Sequence, residues 1–217
     1  MDEDEMWVAI DGQRRKIIAL LARLCDDEWV RPSLCSGWTV REVAAHLTLQ
    51  QVGLFDGLRM AVRYRGGMNR IIHDSACDKA ALPTERLIDE IRAMIGSRRH
   101  NFGLSGRQTL IDILVHGQDI AVPLRRELAM PPSAAAFAAS TVWSSLGTPM
   151  AKVFRPVPWR GVRFVATDTD WAAGQGREVH GPICAILLLL TGRGAALDAL
   201  AGDGKAQLQA ALAEVLP

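Results

Sequence analysis

Apolar residues recur at helical spacing through the first half of the chain. Trp7, Ile10, Ile17, Leu21 and Leu24 share one face of a helix predicted from about Asp4 to Leu24. A second helix opens after Thr39. Thr39 and Glu42 make a Thr-x-x-Glu capping box, and Trp38 and Val43 stand where a hydrophobic staple closes. Its apolar positions continue through Val43, Leu47, Leu54 and Leu58, which carries the predicted helix to about Tyr64. Leu87, Ile88, Ile91 and Ile95 define a third helix, opened by Pro83-Thr84 and stopped at Gly96. The fourth runs from about Gly106 to Ala121, with Pro123 beyond it. The connections 65–82 and 96–106 contain glycine and are long for a bundle, which makes them candidate walls or lids of a site. Four amphipathic helices in this order predict an antiparallel bundle.

A fifth helix, Ser133 to Leu146, follows Pro131-Pro132, and then the texture changes. Pro149, Pro156 and Pro158 mark a linker or extended segment up to Gly161. Val162 to Thr167 reads as a strand, Asp168-Thr169-Asp170 as a turn, and further strands are expected around Trp171 and Val179. Helices near Pro182–Thr191 and Lys205–Val215 complete a small α/β unit. The expected organisation is therefore mainly α, with a helical bundle over residues 1–148 and a small α/β domain over 149–217.

Composition narrows the function classes. The 217 residues carry a formal net charge of +1, with 49% hydrophobic and 23% charged residues. No basic excess points to nucleic acid or a membrane surface. The longest apolar run, Ile183 to Leu190, is far short of the roughly 20 residues a membrane span needs. The acidic start, Met1-Asp2-Glu3-Asp4-Glu5-Met6, lacks the apolar core of a signal peptide. Cys25, Cys35, Cys77 and Cys184 show no Cys-x-x-Cys spacing and are expected to be reduced thiols in a cytoplasmic protein.

Two histidines stand out. Glu42 precedes His46 by four residues, and Asp112 precedes His116 by four. On a helix such pairs share a face, with Cβ atoms about 5–6 Å apart, a spacing that suits two ligands of one ion. Two imidazoles and a carboxylate converging from two helices would form a three-ligand metal site with one position open. The competing reading is a solvated polar stripe: Gln108, Asp112, His116 and Asp119 lie opposite Ile111, Leu114 and Ile120, and Glu42 already serves the capping box. Other constellations are weaker. Gly174-Gln175-Gly176 reads as a hairpin turn, and Asp168-Thr169-Asp170 lacks the glycine and glutamate of a calcium loop. His73, His100 and His180 read as solvated. Cys35 is either a thiol near a positive helix end or incidental.

The stretch Ser-Gly-Trp-Thr-Val-Arg-Glu-Val-Ala-Ala-His-Leu, ending at Leu47, resembles the amino-terminal signature of the DinB-like, mycothiol-dependent maleylpyruvate isomerase family. Leu114 to Leu124 resembles its second signature, and Ala166–Trp171, Leu187–Arg193 and Ala201–Gly204 resemble its small carboxy-terminal domain. The resemblance implies a DinB-like metal-binding four-helix bundle with an α/β domain beside its open end. It implies a metal triad of His46, Asp112 and His116, with aspartate where the characterised isomerase has glutamate. It further implies zinc or another divalent metal, and mycothiol or a similar low-molecular-weight thiol as cofactor. Arg193 is the match for a late arginine that holds a substrate carboxylate. Asp119 is expected either to orient an imidazole or to make a cap or salt bridge. In the family reaction a thiolate adds to the double bond of maleylpyruvate, and rotation and elimination give the trans isomer. The implied function is a metal- and thiol-dependent isomerase or S-transferase acting on a small electrophile. The alternative is a non-catalytic metal-binding or regulatory protein. Partners are a small-molecule substrate and the thiol, with neither nucleic acid nor membrane, in a monomer or homodimer.

Overall fold

The computed structural model describes residues 1–148 and 160–213. It contains two compact units, one spanning Asp2–Ala129 and the other beginning at Met130. The first unit is helical: α1 (Glu3–Leu21), α2 (Asp26–Trp29), α3 (Val40–Leu47), α4 (Leu54–Arg63), α5 (Met68–Lys79), α6 (Thr84–Ala93) and α7 (Gly106–Ala121). The second holds α8 (Pro132–Ser145), β1 (Val162–Ala166), β2 (Ala172–Gly174), β3 (Arg177–Gly181), α9 (Ile183–Leu190), a 3-10 helix (Gly194–Ala199) and α10 (Lys205–Ala213). The fold is mainly α with a small α/β part. No helix among the described residues is long and apolar enough to cross a membrane.

In the first unit α1 and α3 each pack on both α6 and α7. The periodicity explains this: α1 buries Met6, Trp7, Ile10, Ile17, Leu20 and Leu21, and α7 buries an apolar stripe from Leu110 to Ile120. The two helices approach closely at Gly117, where a Cβ would lie 2.8 Å from Leu128 Cδ2 and 3.1 Å from Ile17 Cδ1.

Two expectations for this unit are corrected. The helix predicted from Thr39 to Tyr64 is two helices, α3 and α4, with a break over residues 48–53. The Val52 N–H donates to Asn101 Oδ1 at 2.8 Å and its carbonyl accepts from the Phe102 N–H at 3.0 Å, so this backbone is used outside any helix. After the break α4 buries none of its residues fully, and Leu54 and Leu58 are exposed rather than part of the core. The connection predicted over 65–82 contains α5, which buries the small residues Ser75 and Ala76 and packs on α3.

In the second unit, which includes the chain from Met130 on, α8 packs on α9. Apolar Ala134, Ala135, Ala138 and Ala139 give α8 a flat buried face for the leucine-rich α9. The sheet order is β2-β1-β3, with β2 antiparallel and β3 parallel to β1. Gly174-Gln175-Gly176 is therefore no hairpin turn, because β2 and β3 flank β1 instead of pairing. The chain crosses the start of β1, where the Arg177 N–H donates to the Gly161 carbonyl. At Gly176, with φ +122°, a Cβ would fall 2.1 Å from that carbonyl oxygen. Asp168 Oδ1 accepts from the Ile183 N–H at 2.8 Å, which occupies it at the start of α9. The proline-marked segment Pro149–Pro158 lies outside the described residues, as does the end expected for the last helix at Val215.

Candidate metal centre

The capping box begins the site. The Glu42 carboxylate accepts from the Thr39 N–H at 2.5 Å and from its hydroxyl at 2.6 Å, which fixes the first turn of α3. His46 then falls in the last turn of α3, facing α7. Ser105 and Gln108 make the matching box at the start of α7. Two helix turns separate that box from His116 on the same element.

The structure brings His46, Asp112 and His116 together, with one donor atom of each within 4.8 Å of the others. Asp112 Oδ1 lies 3.1 Å from His46 Nε2 and 3.3 Å from His116 Nε2. The imidazole centroids are 4.7 Å apart at 73°. Glu42, the carboxylate four residues before His46, remains in its capping box and takes no part.

The donor set suits a divalent ion. Bonds of about 2.0–2.1 Å at tetrahedral angles place ligand atoms about 3.3–3.4 Å apart, close to the separations found here. Two imidazole nitrogens and one carboxylate oxygen are ligands that zinc accepts, with a fourth position to spare. On the far side of His116, Nδ1 lies 2.8 Å from Asp119 Oδ2, and Asp119 is fully buried. A carboxylate on the second ring nitrogen fixes the tautomer and aims the first, an arrangement typical of metal-binding histidines. The sequence left Asp119 between orienting an imidazole and making a cap or salt bridge; it is buried and pairs with His116 Nδ1, a contact that suits an orienting partner.

The same contacts set the protonation of the metal-free site. Burial alone would lower the His116 pKa, but Asp112, with Asp119 behind it, pushes it up to about 9. Burial would raise the Asp112 carboxyl, yet the two imidazoles hold it well below the usual carboxylate range. Asp112 and His116 thus form a charge-paired couple.

Several neighbours were not read from the sequence as site residues. The Trp38 ring lies 5.2 Å from His46 and 6.2 Å from His116 between centroids, covering one side of the pair. His73, expected to be solvated in a loop, sits on α5 and stacks on Trp38 at 6.1 Å. Cys35 groups with His116 and Asp119 within 4.8 Å, so a thiol borders the site. None of the four cysteines, all among the described residues, is in a disulfide. Gln50 Nε2 donates to Asp112 Oδ2 at 2.7 Å, and buried Arg14 donates to Gln50 Oε1 at 3.4 Å. One signal did exist in the sequence: Arg14 interrupts the apolar face made by Ile10 and Ile17.

Arg193 belongs to the second unit, where its Nη1 donates to the Thr191 carbonyl at 2.6 Å. This is a contact with the end of α9, the kind of helix-terminal use that basic side chains commonly find.

Residues 10–100 match the family model described as the mycothiol maleylpyruvate isomerase N-terminal domain. The chain resembles a crystal structure of the mycothiol-dependent maleylpyruvate isomerase with a TM-score of 0.64, at 15% identity over 94% of each chain. A histidine-to-alanine mutant of the mycothiol-dependent maleylpyruvate isomerase gives the same TM-score at 13% identity, again over 94% of each chain. At such identity the likeness is one of fold. No curated protein matches the chain.

Proposed function

We propose, from the match of residues 10–100 to the mycothiol maleylpyruvate isomerase N-terminal domain family model, that the protein is a zinc-dependent enzyme that uses mycothiol or a similar small thiol on a small electrophile. The observation that carries this reading is the convergence of His46, Asp112 and His116 around Asp112 Oδ1, at 3.1 and 3.3 Å. Isomerisation of a maleylpyruvate-like acid and S-transfer to a related electrophile are the two reactions that fit.

Each residue has a defined task in this proposal. His46 Nε2, His116 Nε2 and Asp112 Oδ1 hold the ion, and Asp119 keeps His116 Nδ1 protonated so that Nε2 presents its lone pair. Trp38, with only 7% of its surface exposed, keeps bulk water from one side of the imidazoles. Zinc, when bound, supplies an open position at which a thiol is held as the nucleophilic thiolate. Arg193 is assigned a carboxylate of the substrate, since a guanidinium makes a planar two-point contact that a lysine cannot.

A second reading, a metal-binding protein without catalysis, is favoured by one observation: the Arg193 guanidinium contacts the Thr191 carbonyl of its own helix end. One experiment separates the two. Zinc-loaded protein is mixed with mycothiol and a panel of small anionic electrophiles that includes maleylpyruvate. Thiol-dependent turnover that disappears on chelation and returns with zinc is expected. A protein that holds zinc and turns over none of the panel supports the non-catalytic reading.

A further inference from the structure

We infer that Gln50 and Arg14 are positioning residues that make Asp112 a one-oxygen ligand. The inference rests on the metal-binding reading above and concerns residues that take no direct part in it. A free carboxylate can offer an ion either one oxygen or both. Here the two oxygens of Asp112 have separate partners. Oδ1 faces His46 Nε2 and His116 Nε2, while Oδ2 accepts the Gln50 amide N–H at 2.7 Å.

The Gln50 amide can take only one orientation in this setting. A carboxylate such as Asp112 only accepts and a guanidinium only donates, so Gln50 must turn its NH2 to Asp112 and its oxygen to Arg14. Arg14 is itself fixed. Its Nη1 donates to the Met94 carbonyl at 2.8 Å and to Asp11 Oδ1 at 3.2 Å, and Asp11 Oδ2 also accepts from the Gly96 N–H at 2.8 Å. Arg14 is fully buried and Gln50 is 2% exposed, so neither side chain has water to turn toward. A relay from Asp11 through the buried Arg14 and Gln50 therefore ends on the oxygen of Asp112 that does not face the imidazoles.

Holding Oδ2 has two consequences. It aims a side chain one methylene shorter than glutamate at the two histidines, so the short ligand does not swing away. It also limits the coordination number. Cations that gather many oxygen ligands lose the chelating carboxylate they prefer, and zinc, content with four ligands, is favoured. The relay would thus set metal preference from beneath the site.

The test uses the full chain, stripped of metal and reloaded. Gln50→Met keeps the length of the side chain, removes its amide, and leaves Arg14 its contacts with Met94 and Asp11. Zinc and manganese affinities are measured by competition with a chromogenic chelator, and the visible spectrum of the cobalt(II)-loaded protein is recorded. Gln50→Met is expected to weaken zinc by about 10- to 100-fold, the usual effect of losing an outer partner of a metal ligand. Manganese should lose less, so that the preference narrows, and the cobalt bands should weaken as Asp112 chelates through both oxygens. Should Gln50→Met not fold, Gln50→Glu keeps the shape and gives Arg14 a charged acceptor. When ionised it cannot donate to Oδ2, and the same cobalt change is expected. A folded Gln50 variant with wild-type zinc affinity and an unchanged cobalt spectrum would overturn the inference while leaving the metal-binding reading intact. Wild-type protein that takes up no zinc would overturn both.

Discussion

At the scale of single residues, His116 sets the terms on which a metal enters. Its pKa of about 9 in the metal-free site means that the imidazole carries a proton at pH 7. In the proposed site the bare ring nitrogen is the ligand, so a metal must displace that proton. Affinity should therefore climb as pH rises from 7 toward 9 and level off above. Calorimetry in buffers of different ionisation heat should show release of about one proton from this residue near pH 7; uptake of metal with no proton released would contradict the assignment. Asp112→Asn keeps the shape and removes the charge, and should weaken zinc by about 100-fold or more, beyond the effect of losing an outer partner. Asp112→Glu should still bind. Equal affinity in wild type and Asp112→Asn would take the carboxylate out of the ligand set. The pairing of Asp112 with His116 was legible because a helix puts residues four apart on one face, whereas His46, on another helix, was joined to them only by the family resemblance. Gln50 and Arg14 were not, since their roles depend on contacts 62 and 36 residues apart in the chain.

At the scale of elements, the start of α3 was legible and its end was not. A capping box is a local code, so Thr39 with Glu42 placed the start of α3 correctly. The break after Leu47 depends on Asn101, 49 residues beyond Val52, whose side chain takes the Val52 N–H. Helix α5 escaped notice because it buries Ser75 and Ala76 rather than a leucine stripe, and because Gly66-Gly67 before it reads as a loop. The separation of capping from ligation is testable. Thr39→Ala should cost about 1 kcal/mol of stability, the usual effect of losing a cap. Glu42→Ala should also lower the melting temperature. Neither should change the amount of zinc bound per chain, because Glu42 sits in the box and outside the donor cluster. Loss of zinc from a folded Glu42→Ala protein would show that the carboxylate before His46 is a ligand after all.

At the scale of the whole molecule, the change of texture near residue 149 was visible in the sequence, and α8, which precedes it, packs on α9. Its alanine-rich face is too uniform to say which partner it packs on, and α9 supplies that partner. The proposed division of labour assigns the metal to the first unit and the substrate carboxylate to Arg193 in the second. Arg193→Lys should then reduce turnover of an anionic substrate several-fold while zinc content is unchanged. Unaltered turnover in that variant would remove Arg193 from the substrate site. The central claim is that His46, Asp112 and His116 form one metal site. The most direct test is elemental analysis of purified protein after exposure to micromolar zinc, for wild type, His46→Ala, His116→Ala and His73→Ala. About one zinc per chain is expected in wild type and in His73→Ala, and little in the other two. Wild-type protein without zinc, or a His46→Ala or His116→Ala protein that keeps its full share, would contradict the account.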